Sequence, residues 1–154
     1  MALRYANVYG PRQSPLGEAG VVAIFAHRLL GGEPVVINGD GLQTRDYVYV
    51  GDVAEANLLA LEHGDASGPV NIGTGVETSV VELFEQVRAA VGVTAAAQHG
   101  PSKPGEQRRS VLIAARAKHL LGWEPRVPLA DGLRRTVAHF SRETGHGPAP
   151  ARHP

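Results

Sequence analysis

The sequence predicts an α/β fold in which at least some of the strands pair in parallel. Short apolar runs rich in β-branched residues alternate with longer segments whose apolar residues recur at helical spacing. Such alternation is typical of sheets built from strand–helix–strand units. The 154 residues also include 19 glycines and 11 prolines. Glycine and proline together make up 30 of the 154 residues, a share well above the average of about 12%. This excess predicts many tight turns.

The predicted strands are short, and most are bounded by turn residues. They are expected at residues 2–8, 34–38, 46–50 and 69–72, with a weaker candidate at 95–99. We expect the first of these strands, residues 2–8, to be buried. It ends at the turn sequence Tyr9-Gly10-Pro11.

Apolar stripes predict five helices, at residues 21–30, 53–63, 80–91, 114–121 and from 129 onward. Ser79 and Glu82 have the spacing of a capping box at the start of the third helix, and Asp52 and Glu55 repeat that spacing at the second. Gly31, Gly64, Gly92 and Gly122 are the expected stops. We expect residues 1–143 to form one unit and residues 144–154 to be a disordered tail.

Composition excludes several classes of function. Fifteen basic and fifteen acidic residues give a formal net charge of zero, which argues against nucleic acid or a membrane surface as partner. The chain has no cysteine, and no histidine pair has metal-ligand spacing, so we expect no disulfide and no metal site. The sequence has no long apolar run and no secretory signal. We therefore expect a cytoplasmic location.

Residues 39–53 are the stretch around which the chain is organised. Gly39 and Gly41 bracket Asp40 in a turn, and glycine allows a backbone to approach a ligand closely. Arg45 follows at the mouth of an apolar strand, where a guanidinium can bind carboxylate or phosphate oxygens through two nitrogens. The alternative is that Arg45 pairs with Asp46 or another carboxylate at a strand edge. Spacing alone leaves both interpretations open.

The same stretch, Gly-Asp-Gly-x-Gln-Thr-Arg-Asp-Tyr-Val-Tyr-Val-x-Asp-Val, resembles a motif of the extended short-chain dehydrogenase/reductases, the NAD-dependent epimerase/dehydratase family. Four further segments are similar to family motifs and follow in family order: residues 3–13, 71–75, 103–106 and 121–123. Together the five motifs cover roughly residues 2–140. The likeness is greatest to the bacterial UDP-glucose 4-epimerases.

The resemblance implies the C-terminal part of a Rossmann-type NAD(P)-binding fold together with a small mixed α/β substrate-binding domain. It implies NAD-dependent 4-epimerisation of a UDP-sugar of the UDP-glucose/UDP-galactose type, and a homodimer for the full-length enzyme. A 4,6-dehydratase, a decarboxylase or a non-catalytic sugar-nucleotide-binding fragment are the alternatives. The family's glycine-rich dinucleotide loop and its Tyr-x-x-x-Lys pair are absent from these residues. We therefore expect this chain to correspond to a C-terminal half, to bind NAD weakly and to be inactive alone.

The resemblance also assigns the site residues. Tyr9, Gly10 and Pro11 would lie against the nicotinamide of NAD, and Asn7 would bind the sugar nucleotide near its diphosphate. By residue type alone, Asn7 could end a strand through an Asx turn and Tyr9 could be a core aromatic. Residue type does not decide between these roles.

The remaining positions implied by the resemblance surround the nucleotide. The three residues expected beside the uracil are Val36, Ile37 and Asn38. Arg45 and Lys103 would bind the diphosphate, and Glu106 would accept hydrogen bonds from ribose hydroxyls. Lys103 and Glu106 could instead be a solvated loop pair.

One departure from the family pattern concerns the fourth helix. The family usually has Asp and Ser or Thr where this chain has Ile113 and Ala115. The sequence thus predicts a helix start without a side-chain cap, a loss of about 0.5–2 kcal/mol.

Overall fold

The computed structural model describes residues 1–16, 20–63 and 67–145. The elements in chain order are β1 (Ala2–Tyr5), β2 (Asn7–Tyr9), α1 (Val21–Leu30), β3 (Val36–Asn38), β4 (Thr44–Arg45), β5 (Tyr47–Tyr49), α2 (Val50–Glu62), β6 (Pro69–Ile72), β7 (Thr78–Ser79), α3 (Val80–Val91), β8 (Gln98–Gly100), β9 (Arg109–Ser110), α4 (Ala115–Leu121) and α5 (Leu129–Glu143). The predicted α/β class is confirmed, and each of the five predicted helices is present.

Parallel pairing dominates the described strands. β1 pairs with β6, β2 with β5 and β3 with β8, all in parallel. β4 lies between β9, to which it is parallel, and β7, to which it is antiparallel. Every parallel pair has at least one helix between its members in sequence, as a crossover connection requires. The prediction of parallel pairing is therefore confirmed.

The prediction of one buried strand over residues 2–8 was wrong in two respects. The segment divides at Ala6 into β1 and β2, and its partner changes from β6 to β5. β1 is largely exposed: Arg4 faces solvent, and Tyr5 retains 45% of its accessible surface. The Tyr5 hydroxyl donates a 2.9 Å hydrogen bond to Oδ1 of Asn57 on α2. Within β1 only Leu3 is partly buried, because one face of the strand meets solvent and Tyr5 lies on the surface.

Two apolar clusters hold the elements together. The helical core joins α1, α3 and α5, with the rings of Phe25 and Phe84 packed edge to face at 5.9 Å between centroids. The sheet core lies between the parallel strands and helices α2 and α4, and includes Trp123 with 1% of its surface exposed. Amphipathic helices pack their apolar stripes against such cores. The stripes predicted on α1, α3 and α5 pack in the helical core, with Val21 and Leu129 partly buried and the other stripe residues buried.

The start of α2 was predicted wrongly. The helix begins at Val50 with Tyr49 as N-cap and no side-chain cap, not at a capping box of Asp52 and Glu55. Asp52 Oδ2 instead accepts hydrogen bonds from the backbone N–H groups of Arg126 and Val127, both at 3.1 Å. These donors lie more than 70 residues away, so local spacing could not reveal them.

The remaining helix ends agree with the sequence. Ser79 and Glu82 form a complete capping box, with the Glu82 N–H donating to Ser79 Oγ at 3.2 Å and the Ser79 N–H to Glu82 Oε2 at 2.8 Å. At α4 the N-cap is Ala114 and no side chain caps the helix, which confirms the expected missing cap.

Some predictions fall on residues outside the described ranges. The predicted tail, 144–154, is described only at Thr144 and Gly145, which form a turn after α5. The stop predicted at Gly64 also lies outside, and α2 ends at Glu62. Within the described ranges, none of the helices combines the length and apolar character that crossing a membrane requires.

Candidate functional site

Arg45 lies at the end of β4 with its side chain 17% exposed. Its Nη1 donates to the carbonyl oxygens of Thr44 at 2.8 Å and Gln107 at 2.7 Å. Its Nη2 is 3.4 Å from Glu106 Oε1, at the long end of hydrogen-bonding distance. The carboxylate partner of Arg45 is thus Glu106, not Asp46. Nη1 thus fixes the guanidinium to the loop that precedes β9, while Nη2 makes only a long contact with Glu106.

A cavity of about 310 Å³, the polar pocket, lies between the glycine turn and the loop over residues 101–108. Its lining residues are Asn38, Gly39, Asp40, Gln43, Ser102, Lys103, Glu106 and Arg108. Three residues assigned to the nucleotide by resemblance, Asn38, Lys103 and Glu106, therefore meet in one cavity. Arg45 reaches this group through its contact with Glu106.

An ion pair joins the two sides of the polar pocket. Arg108 donates to both carboxylate oxygens of Asp40, at 3.1 to 3.3 Å. These bonds from Arg108, with one from the Leu42 N–H, lower the pKa of Asp40 below its usual value. His99 Nδ1 lies 2.7 Å from the carbonyl oxygen of Gly39 and can donate to it. The glycine turn is therefore tied to the segment that carries Lys103.

The Glu77 carboxylate links strands β4 and β9. It accepts from Nε of Arg109 at 3.0 Å and from the hydroxyl of Thr44 at 2.5 Å. Hydrogen bonds from Arg109, and then from Thr44, lower the pKa of Glu77 from 4.5 to about 2. The carboxylate thus joins β4 to β9 from a position just before β7.

The segment predicted to lie beside a uracil is β3. Ile37 is 2% exposed and packs in the helical core, whereas Val36 is 44% exposed. Asn38 ends the strand inside the polar pocket, and its carbonyl oxygen accepts from the amide of buried Gln43 at 3.2 Å. A base could contact the Val36 side chain and the strand backbone, but not the Ile37 side chain in this conformation.

Tyr9, Gly10 and Asn7 lie outside the polar pocket. The Tyr9 ring is 2% exposed, packs edge to face on Tyr49 and donates its hydroxyl to the Leu129 carbonyl oxygen at 3.3 Å. Burial raises the pKa of Tyr9 above its usual value. The ring is thus a core aromatic, one of the two roles that its residue type allowed. Asn7 is exposed on β2.

Contact of this segment with a dinucleotide stays a prediction. Gly10 has φ +152°, and a Cβ there would lie 2.3 Å from Cγ1 of Val50, so the backbone packs closely after β2. Pro11 is half-buried beside it. The sequence offers no glycine-rich loop for a pyrophosphate.

Residues 1–73 match the NAD dependent epimerase/dehydratase family. This chain belongs to that family. It is 48% identical over 139 residues to a UDP-glucose 4-epimerase from Mycolicibacterium smegmatis, covering 90% of this chain and 44% of that protein. It is also 35% identical over 143 residues to UDP-glucuronic acid decarboxylase 1 from Danio rerio, covering 93% of this chain and 34% of that protein.

Solved structures of family members have the same fold. UDP-glucose 4-epimerase from Thermotoga maritima, solved with UDP-glucose, superposes with a TM-score of 0.87 at 51% identity, covering 92% of this chain and 46% of that one. The Thermus thermophilus enzyme, a complex with NAD, gives 0.83 at 49% identity, with coverages of 90% and 45%. The chain thus spans less than half the length of these family members, and the predicted Rossmann-type fold class is confirmed.

The resemblance did not assign Arg108 or Gln43 to the site, although both line the polar pocket and make contacts in it. The side chain of Arg108 is 67% exposed, yet it pairs with Asp40 across the pocket. Gln43 is 4% exposed and holds the carbonyl oxygen of Asn38. The contact of Arg108 has no local signal, because 68 residues separate it from Asp40. In the described part of the chain, no cluster of His, Asp or Glu is suited to a metal ion.

Proposed function

We propose that this chain supplies the sugar-nucleotide-binding part of an NAD-dependent UDP-sugar 4-epimerase of the UDP-glucose/UDP-galactose type. The observation that carries the proposal is the convergence of Asn38, Lys103 and Glu106 in one polar pocket, with Arg45 in contact with Glu106. The similarity to UDP-glucose 4-epimerases over about nine-tenths of the chain supports it.

The charges of the pocket suit a nucleoside diphosphate. Arg45 Nη2 is held in place by the bonds of Nη1 and makes only a 3.4 Å contact with Glu106. A diphosphate oxygen would offer it a shorter charge-assisted hydrogen bond. Lys103 adds a second cation, which acts as a point charge rather than a fork. Glu106, released from Arg45, would accept from ribose hydroxyls.

The reactive end of the substrate would lie beyond these residues. NAD, when bound, would supply the hydride chemistry. The residues described here would orient the substrate by gripping its nucleotide, and orientation by remote contacts contributes to rate. We propose that the isolated chain has no epimerase activity, since no Tyr-x-x-x-Lys pair occurs in it. Interconversion of UDP-glucose and UDP-galactose by this chain with added NAD would contradict this.

A decarboxylase of UDP-glucuronic acid is the second candidate, because proteins with that name are 35–37% identical to this chain. Affinities for UDP-glucose and UDP-glucuronic acid, measured side by side, would separate this candidate from the epimerase. A 4,6-dehydratase and a non-catalytic sugar-nucleotide-binding fragment are further candidates. A cytoplasmic location and a homodimer of the full-length protein also stay predictions.

The decisive experiment is calorimetric titration of UDP and UDP-glucose into the purified chain and its Arg45→Ala variant. A charge-assisted hydrogen bond contributes about 1.5–3 kcal/mol, so loss of Arg45 should weaken binding by about tenfold or more. Arg116→Ala is the matched control, because that guanidinium also donates to a backbone carbonyl, that of Ser67, but lies outside the pocket. Failure of the unchanged chain to bind either ligand while it unfolds cooperatively would overturn the proposal.

A further inference from the structure

Asp46 is a buried carboxylate that accepts hydrogen bonds from four donor groups. It is 1% exposed. Its Oδ1 accepts from the N–H and hydroxyl of Thr74 at 2.9 and 2.5 Å, and its Oδ2 from the N–H groups of Gly75 at 3.1 Å and Leu112 at 3.2 Å. Backbone N–H groups that converge in this way stabilise an anion without a cation. Asp46 therefore joins the turn after β6 to the segment after β9.

The close approach at this point depends on a glycine. A Cβ on Gly73 would lie 2.5 Å from Asp46 Oδ2, 3.0 Å from Leu112 Cβ and 3.2 Å from Ala6 Cβ. A side chain at this position would push the turn away from the carboxylate. Glycine at position 73 thus allows the contact with Asp46. The turn Gly73-Thr74-Gly75 therefore has a structural role.

Arg45 and Asp46 hold the same segment at two places. Arg45 binds the carbonyl oxygen of Gln107, and Asp46 binds the N–H of Leu112, five residues later. Between these points, β9 pairs with β4, and the Thr44 N–H donates to the Arg108 carbonyl oxygen at 2.8 Å. The loop that carries Lys103 and Glu106 leads directly into this clamped segment. The position of this loop relative to Arg45 is therefore set by Arg45 itself, by Asp46 and by the pairing of β4 with β9.

We propose that Asp46 is a positioning residue for the sugar-nucleotide site, an inference that rests on the proposed function. By holding Leu112 and the 73–75 turn, it fixes the loop of Lys103 and Glu106 against the Arg45 guanidinium. The Thr74 N–H lies 2.9 Å from Oδ1 and 3.1 Å from Oδ2, whereas the N–H groups of Gly75 and Leu112 donate to Oδ2. An amide in this place would replace one of the two acceptor oxygens with an NH₂ group, which in either orientation faces at least one backbone N–H donor.

The test compares Asp46→Asn with Asp52→Asn. Asp52 is the matched control: it is also buried, at 4%, and accepts from two backbone N–H groups, but those belong to Arg126 and Val127 outside the polar pocket. Both substitutions should lower the melting temperature. At a temperature where both variants are folded, Asp46→Asn should weaken UDP binding by about tenfold, since misplacing binding groups carries costs of this order or larger. Asp52→Asn should leave UDP affinity within about twofold of the unchanged chain, because distant sites act independently.

Two further readouts separate positioning from general destabilisation. In the Arg45→Ala background, Asp46→Asn should weaken UDP binding by much less than it does alone, because residues acting through one another are not additive. In the unchanged chain, saturating UDP should slow hydrogen exchange at the Thr74, Gly75 and Leu112 amides, because coupling between the ligand and this cluster is reciprocal. This second readout needs no variant and stands even if Asp46→Asn does not fold.

Each outcome supports or overturns the role of Asp46. Equal UDP affinity for the Asp46→Asn and Asp52→Asn variants, or unchanged exchange of the three amides on binding, would overturn that role while leaving the proposed function intact. Absence of UDP binding by the unchanged, folded chain would overturn the proposed function and, with it, this inference.

Discussion

The indole N–H of Trp123 donates a 2.8 Å hydrogen bond to the carbonyl oxygen of Asp52, across 71 residues of sequence. The ring itself is 1% exposed in the sheet core. One residue thus ties the segment after α4 to the first turn of α2. The Asp52 carboxylate reinforces the same junction through Arg126 and Val127.

We expect Trp123→Phe to lower the free energy of unfolding by about 2–4 kcal/mol. The variant loses one buried hydrogen bond, leaves the Asp52 carbonyl oxygen without that donor and creates a cavity. Denaturant unfolding monitored by circular dichroism measures the change. The UDP affinity of the variant should stay within about twofold of that of the unchanged chain, since Trp123 lies outside the polar pocket. A loss of UDP binding greater than the loss of folded protein would contradict this separation.

Ser79→Ala should lower stability by about 1 kcal/mol, because it removes a cap that accepts from the Glu82 N–H. Ser79→Thr, which keeps a hydroxyl acceptor, is the control and should retain most of the stability. Thermal melts of the three proteins make the comparison. Equal midpoints for the Ala variant and the unchanged chain would show that the capping box contributes nothing.

Stability should fall as the pH is lowered through the range in which Glu77 titrates. The folded chain holds the pKa of Glu77 at about 2, below its ordinary 4.5, chiefly through Arg109 and then Thr44. A depressed carboxyl pKa contributes stability that is complete above the ordinary value and is lost as the pH falls toward the folded value. That window runs from about pH 4.5 to about pH 2.

Glu77→Gln tests this assignment. Denaturant midpoints should fall less steeply with acid in the variant, while an Asp40→Asn variant reports the contribution of a second carboxyl whose pKa is also lowered. Parallel pH profiles for the unchanged chain and the Glu77→Gln variant would assign the acid sensitivity to other carboxylates.

Gly41→Ala should destabilise the chain more than Gly92→Ala. Both glycines have left-handed backbone, with φ +72° and +83°. Each alanine substitution should therefore lower the free energy of unfolding by roughly 1–2 kcal/mol through backbone strain. A Cβ at Gly41 would also lie 2.5 Å from Val81 Cγ2 and 2.8 Å from Ile37 Cγ2, whereas none of the described atoms lies within 4 Å of a Cβ at Gly92.

The difference between these two variants isolates crowding from strain. We expect a further loss of about 1–3 kcal/mol at Gly41 from overpacking. Chemical denaturation of both variants measures this difference in the free energy of unfolding. Equal losses would mean that the glycine turn can move away from Val81 without cost.

Local patterns were sufficient for most of the elements. Helices α1, α3 and α5 follow from apolar residues that recur at helical spacing, and the Ser79–Glu82 box follows from residues three apart. These features depend on interactions within one or two turns, which the order of residues specifies directly. The resemblance to a family also named residues that meet in the pocket, including Lys103 and Glu106.

The failures share one physical origin, which is competition from partners far away in sequence. Asp52 has the spacing of a helix cap, yet two N–H groups more than 70 residues distant take its carboxylate. Arg108 resembles a solvated charge, yet Asp40 lies within reach once the loop packs on the glycine turn. A polar group binds the donor or acceptor that folding brings nearest, and local sequence does not encode that distance.

The sequence by itself determined the α/β class, the presence of the five helices and the residue types of the proposed sugar-nucleotide site. The tertiary structure alone decided which strands are exposed, where α2 begins and how the site is held. The reason is that periodicity and caps act over three or four residues. The clamp of Arg45 on Gln107 and of Asp46 on Leu112 spans more than sixty residues and exists only after β4 pairs with β9.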